Sequence, residues 1–393
     1  MKKVNIFILA ILLLTAGCGG NKQSRNDDLI TVDVTKSYPQ KELILQDFMD
    51  VEYIALETGG EFYCQGVVQA IGKDIIIVTN RVRDGDIFIF DRKTGKGIRK
   101  INRQGQGPEE YVMISGVVRI ILDEANGEMF ITPTVGKTHV YDLYGKFKRS
   151  FMSSYYDVFE YDKDNLICYD KSDFNKRGED REKAYHVIIS KLDGSITREI
   201  YIPYKTIHTP IVRKSSGIAS MPGELSQIIP HQGKWILADL SSDTLYMYSP
   251  KNILTPFLVR TPSIHVMHPE VYLSIMALTD SYYFLKTVVN DFDFETGNGF
   301  DMNSLMYDKK ENAVFEYVIY NDDNTEKKPL SKMMWWPYNH EIAASAVLWP
   351  DKLVEDFEKG ILKGRLKEIA AKFAEDNSRI EPNPVIMLIK HKK

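Results

Sequence analysis

Two histidines, His265 and His268, stand three residues apart in TPSIHVMHPE, with Glu270 just beyond them. Imidazoles beside a carboxylate are a ligand set for zinc and similar divalent metals, which polarise bonds for hydrolysis or elimination. The default reading of each histidine is packing or surface. A second group is marked by spacing. Pro108, Tyr111 and Ile114 return as Pro222, Leu225 and Ile228, and again as Pro269, Tyr272 and Ile275. Two copies carry an acid two residues after the proline, Glu110 and Glu224. Carboxylates held on short loops set by Gly105 and Gly107 suit ligands with hydroxyls or amines. The rival reading is that each acid accepts hydrogen bonds from the N–H groups of its own turn. Trp335 and Trp336, followed by Pro337 and Tyr338, are either packing or a stacking platform for sugars or peptides. There is no G-x-S-x-G elbow, H-E-x-x-H pair, phosphate-cradling G-x-x-x-x-G-K or C-x-x-C knuckle. DFDFETGNGFD, Asp291 to Asp301, has its glycines misplaced for a calcium loop and reads as a strand with one wet face.

These residues need a frame, and repeats supply it. A strand, a short polar turn and a second strand recur as IFIFD-RKTG-KGIRKI, HVYD-LYG-KFKRSF and HVIIS-KLDG-SITREI, with more divergent copies at Thr244 and Ser304. Ahead of each hairpin lies another β-prone pair, such as GVVQAIGKDIIIVTN. Four strands at a period of ~40 to 50 residues is the arithmetic of a propeller blade. Five units run from Cys64 to about Asn321. Residues 351–376 then take a helical period, and NPVIMLIKHKK is a final strand that can pair with Val51 to Leu56. The expected fold is all-β: a six-bladed β-propeller of four-stranded antiparallel blades over residues 41–393. Its last blade is closed by N- and C-terminal strands and carries a short C-terminal helical insertion. In such a ring the crossings between blades rim one mouth of the channel. Arg103, Gln106, Glu110, Tyr111, Glu224, Glu270, Tyr272 and the Trp335–Trp336 pair are therefore the expected ligand-binding set. None is assigned as catalytic.

Lys2 and Lys3 precede an apolar run, Ile6 to Leu14, that ends in TAGC. Residues 1–17 read as a signal peptide, too short to span a bilayer as a permanent helix. Cys18 is the expected lipidation site, and residues 18–40 the tether. Cys64 and Cys168 fall in different repeats, which argues against a disulfide between them. A net charge of −4 over 393 residues supplies no basic field for nucleic acid.

The lipobox-like TAGC, the hairpin FIFDRKTGKGIRKI running into NRQGQGPEEY, and the closing DNSRIEPNPVIMLIKHKK resemble the six-bladed β-propeller lipoproteins of the Bacteroidetes, themselves similar to NHL-repeat propellers. Glu109 stands where that family usually has the second glycine of Gly-Pro-Gly-Glu. The resemblance implies an exported chain, lipid-anchored to the outer membrane through Cys18, with its membrane face left open. It implies a binding or scaffold module for a glycan, peptide or envelope protein. The alternative is a metal-dependent hydrolase or lyase of the gluconolactonase-like or amidating-lyase type. No cofactor is expected, a channel-bound metal being the one addition left open.

Overall fold

The computed structural model describes residues 29–82, 84–112, 118–133, 136–153, 155–223, 225–330, 336–375 and 381–392. Its described chain opens with β1 (Ile30–Asp33), β2 (Gln40–Ile44), the one-turn helix α1 (Leu45–Phe48) and β3 (Met49–Ala55). Blade 1 is β4 (Val67–Ile71), β5 (Ile75–Thr79), β6 (Ile87–Asp91) and β7 (Gly97–Ile101). Blade 2 is β8 (Val118–Asp123), β9 (Glu128–Pro133), β10 (Gly136–Asp142) and β11 (Phe147–Ser153). Blade 3 is β12 (Tyr155–Glu160), β13 (Asn165–Asp170), β14 (His186–Ser190) and β15 (Ile196–Ile200). A ribbon, β16 (Val212–Arg213) with β17 (Ala219–Ser220), lies in the crossing to blade 4. Blade 4 is β18 (Ile228–His231), β19 (Lys234–Leu237), β20 (Thr244–Tyr248) and β21 (Leu254–Thr261). Blade 5 is β22 (Val271–Leu278), β23 (Tyr282–Val289), β24 (Met302–Asp308) and β25 (Ala313–Tyr320). Then come β26 (Ile342–Leu348), α2 (Pro350–Glu358), α3 (Gly364–Glu375) and β27 (Val385–His391).

Each sheet is clamped between two neighbours, so its strands are apolar on both faces, as in the IIIVT of β5. Every one of the six blade interfaces has its own apolar cluster drawn from both sides. Ile77, Ile89, Met129 and Ile131 fill the junction of blades 1 and 2. Ile54, Leu388, Ile76 and Phe88 fill that of blades 6 and 1. The ring is therefore closed by burial as well as by hydrogen bonds.

Blade 6 makes the closure. Its strand order is β26-β27-β3, with β27 antiparallel to both neighbours and Ile386 opposite Ile54. The pairing of Val51 to Leu56 with the last strand is thus present. Among the described residues this sheet has three strands where four are expected. The place nearest the axis is taken by 336–341, which is not a strand. There Pro337 lacks the N–H a ladder needs. Tyr338 N donates to Ile342 O (3.0 Å), and Asn339 Nδ2 reaches Ile71 O of blade 1 (2.8 Å).

One expectation shifts. The tether does not run to residue 40, because β1 pairs in parallel with β21 on the outer edge of blade 4 and Val32 is fully buried. Likewise β2 adds in parallel to β25 on blade 5, giving both blades a fifth strand. The expected helical insertion is present and consists of two helices, α2 and α3. Gly360, at φ +70°, ends α2 in the left-handed region, and Ile361 N returns to Asp356 O (3.1 Å). Leu353, Leu366 and Ile369 then pack together against Val385. Cys64 and Cys168 are both free thiols. Asp291 to Asp301 is neither strand nor calcium loop: it turns between β23 and β24, with Phe292 packed on Phe294 and Phe300.

The hairpin turns latch one blade to the next. Lys191, which opens the KLDG turn of blade 3, sends Nζ to Asp123 Oδ2 (2.7 Å) in blade 2 and Glu160 Oε1 (2.9 Å) in its own. Its carbonyl accepts from Arg149 Nε and Nη2 (3.1 and 2.9 Å), while Arg149 grips Glu128 with both terminal nitrogens (2.9 and 2.6 Å). Arg92 holds the equivalent turn of blade 1, bonding Glu52 of β3 and Gly72 O.

Candidate functional site

The crossings rim one side of the ring, as expected, but their recurring residues are plugs. Tyr111 is 2 % exposed, packed edge-on to Tyr141 with ring centroids 5.8 Å apart. Its hydroxyl donates to Gly85 O (2.5 Å) and accepts from Arg103 N (3.1 Å), and burial pushes its pKa up to about 12. Leu225 and Tyr272 share a second such plug with Ile264 and Phe300. Glu110 is exposed and folds onto its own loop, accepting from Gly107 N (2.8 Å). Gly105 and Gly107 do not adopt positive φ; the Glu110 carboxylate lies against both. Glu110 thus makes the bond that the turn-capping reading calls for. Arg103 Nε donates to Gly145 O (3.1 Å) in the blade 2 hairpin, and Gln106 is exposed on the loop. Glu224 and Trp335 lie outside the described residues.

Among the described members of the expected set, Trp336 alone lines the axial cavity, which measures about 600 Å³. Gln69, Arg119, Phe159, Trp235 and Tyr338 share that wall. The Arg119 guanidinium lies 3.9 Å from the Trp336 ring centroid and 5.5 Å from that of Phe159. Its Nη2 is 3.7 Å from Oδ1 of Asp157, a fully buried residue. Oδ2 of that carboxyl accepts from the backbone N–H groups of Gln227 and Ile228, whereas Oδ1 has no hydrogen-bond partner. Gln227 Oε1 and Ser274 Oγ, buried at the same stage of the next two blades, also have none. At the opposite mouth His231, His340 and His391 share a cavity of about 450 Å³. Burial, with His391 beside it, lowers the His231 pKa to about 4.

This set was visible in the sequence. Each innermost strand is an apolar run with a polar interruption at or just before it: Gln69 in VVQAI, Arg119 in VRIILD, Asp157 in YYDVFE, Gln227 ahead of IIPH, Ser274 in VYLSIMAL. A buried polar atom without a hydrogen bond costs roughly 1–3 kcal/mol, and Asp157, Gln227 and Ser274 each carry one.

A third place gathers Glu270, Tyr272 and His265. Glu270 is 5 % exposed. Burial alone would raise its pKa, but pairing with His208, Arg177 and Asn290 pulls it down to about 2. Arg177 Nη2 bonds its Oε1, Asn290 Nδ2 its Oε2 (3.2 Å), and His208 Nδ1 stands 3.6 Å away. His208 Nε2 in turn lies 2.9 Å from His265 Nδ1, the rings inclined by 73°. The Tyr272 hydroxyl is buried nearby without a partner. His265 is thus paired with His208, not with His268, which stays exposed on the same loop. Arg177 and His208 come from the long loops flanking β14 and β16, and no spacing in the sequence links them to Glu270. Among the described residues no group of three or more His, Cys, Asp or Glu side chains has metal-binding geometry.

Fold and axis together define a six-bladed β-propeller with a polar, aromatic-walled central cavity. The comparisons agree: residues 20–339 match the family described as "6-bladed beta-propeller", and the chain belongs to that family. A putative exported protein from Bacteroides fragilis NCTC 9343 superposes with a TM-score of 0.58 at 12% identity, over 93% of this chain and all of that one. A member of the DUF4221 family from Bacteroides vulgatus follows at a TM-score of 0.46 and 10% identity, over 88% of this chain and 98% of that one. Virginiamycin B lyase from Staphylococcus aureus superposes loosely, at a TM-score of 0.33 and 13% identity, over 68% of this chain and 88% of that one. The likeness is one of fold alone. No curated protein matches the sequence. No described helix is long and apolar enough to cross a membrane.

Proposed function

We propose that this chain is a lipid-anchored envelope propeller that binds a glycan, a peptide or a segment of a partner protein in its axial cavity. The observation that carries the reading is Arg119, which lines the cavity with its guanidinium 3.9 Å from the Trp336 ring centroid. A guanidinium against an aromatic wall is an arrangement that suits hydroxyl or amide groups. A cavity of about 600 Å³ has room for one or two sugar rings or a short side-chain segment. Anchorage rests on Cys18 and on the exported character stated for the Bacteroides fragilis relative. A second reading, a metal-dependent hydrolase or lyase, has the His208–His265 pair beside Glu270 in its favour.

A glycan and peptide array probed with the full chain tests the first reading. Binders are then titrated by intrinsic fluorescence, since Trp235 and Trp336 line the cavity. Arg119→Ala is expected to weaken a true ligand by roughly tenfold or more, equivalent to ~1.4 kcal/mol. Arg103→Ala, on the loop between blades 1 and 2, is expected to leave it unchanged. A ligand indifferent to Arg119→Ala, or one weakened by Arg103→Ala instead, would place binding elsewhere.

A further inference from the structure

We propose that His208 Nε2 and His265 Nδ1 form a two-histidine site for a divalent transition metal of the zinc type, with Glu270 as its orienting partner. The inference stands apart from whatever the axial cavity binds.

Two nitrogens from different loops converge on one point, 2.9 Å apart, with their rings inclined by 73°. Nitrogens bound to a tetrahedral zinc at ~2.0–2.1 Å are themselves ~3.3 Å apart. The pair needs to open by only ~0.5 Å, and the His265 side chain is exposed on the short 3-10 turn Ile264–Val266. The other face of His208 is already arranged. Its Nδ1 looks at Glu270 Oε1 across 3.6 Å, and that carboxylate is kept charged by Arg177 and Asn290. A charged acceptor there favours the tautomer with the proton on Nδ1, which leaves the Nε2 lone pair directed at His265. A carboxylate behind a metal-bound imidazole is the usual second layer of a histidine–metal site.

Proton bookkeeping closes without a co-reactant. In the metal-free pair His265 Nδ1–H donates to His208 Nε2. Metal binding moves that proton to the solvent-facing Nε2 of His265, and no net proton is released. Imidazole ligands select zinc, cobalt, nickel or copper over calcium and magnesium, which favour oxygen. With two protein ligands, the remaining positions belong to water and stay open to a further ligand.

The full chain, stripped with a chelator, is titrated with Co²⁺ by visible absorption and with Zn²⁺ by calorimetry. One ion per chain is expected. His265→Ala removes an exposed side chain and is expected to abolish that binding while leaving the melting temperature unchanged. Glu270→Gln, checked by melting for retained fold, is expected to weaken binding 10–100-fold while both ligands remain. His268→Ala is expected to change nothing. The proposal is overturned by absence of stoichiometric binding, by unchanged affinity in His265→Ala, or by equal dependence on His268.

Discussion

Glu128→Gln isolates the ion pair within blade 2 that holds Arg149, the residue whose side chain also reaches Lys191 O of blade 3. Glu128 is 7 % exposed and is held by both terminal nitrogens of Arg149, with Lys148 also against Oε1. The Arg149 pairing pulls its carboxyl from 4.5 down to about 2 against the opposing effect of burial. At ~1.4 kcal/mol for each tenfold change in proton affinity, that depression corresponds to ~3 kcal/mol of folding stability at neutral pH. A lowered pKa contributes above the unfolded value and is lost as pH falls from about 4.5 toward 2. The amide substitution keeps the size and removes the charge. Arg149 keeps its bonds to Lys191 O, which holds the loss below the ~3–5 kcal/mol of a fully orphaned buried charge. Guanidinium unfolding of wild type and variant, followed by tryptophan fluorescence, should show a gap of ~2–3 kcal/mol at pH 7 that narrows steadily below pH 4. A gap under ~1 kcal/mol at pH 7, or one that is equally wide at pH 3, would refute the reasoning.

The two crossing residues should separate cleanly. Tyr111→Ala empties a plug between blades and should cost ~3–5 kcal/mol in thermal or denaturant melts, whereas Glu110→Ala should cost ~1 kcal/mol or less. If Glu110→Ala proves the more damaging, its role is more than that of a turn cap. Removing the last ten residues takes β27 out from between β26 and β3 and should abolish cooperative melting, so a truncated chain that melts like the full one would dissolve the closure argument. Cys18→Ala should release the protein from membranes, because several acyl chains at ~0.8 kcal/mol per methylene exceed what a single myristoyl provides. Retention of that variant through a high-salt wash would rule out the lipid anchor.

The blades were legible because each hairpin writes its own local signal: alternating β-formers around RKTG, LYG or KLDG. Gly95 shows why those turns are so marked, since it sits at φ +74° with Ala55 O of blade 6 where a Cβ would go. Closure was legible from the apolar VIMLI. What escaped was parallel pairing. ITVD of β1 and QKELI of β2 are short, lack a turn, and join blades 4 and 5 more than 220 residues downstream. The site was half legible. An acid at a fixed offset looks the same whether it faces a ligand or caps its loop, and only the position of Glu110 over Gly105 and Gly107 tells these apart. Arg177 and His208 reach Glu270 from other loops, and such non-local meetings leave no spacing to read. The axial polar residues did leave one.

The amino-terminal chain does more than lead into the ring. It passes along the rim as a strap, β1 on blade 4, β2 on blade 5 and β3 on blade 6, crossing three successive sheets before it enters blade 1. Tension on a chain held by its amino-terminal end would therefore meet β1 first. Only four residue pairs join β1 to β21, and five join β2 to β25, while seven join β3 to β27. Blades 4 and 5 each keep four strands when the added one peels away. The strap can then yield in two steps and lengthen under load, and the closure pairs of blade 6 feel the pull last.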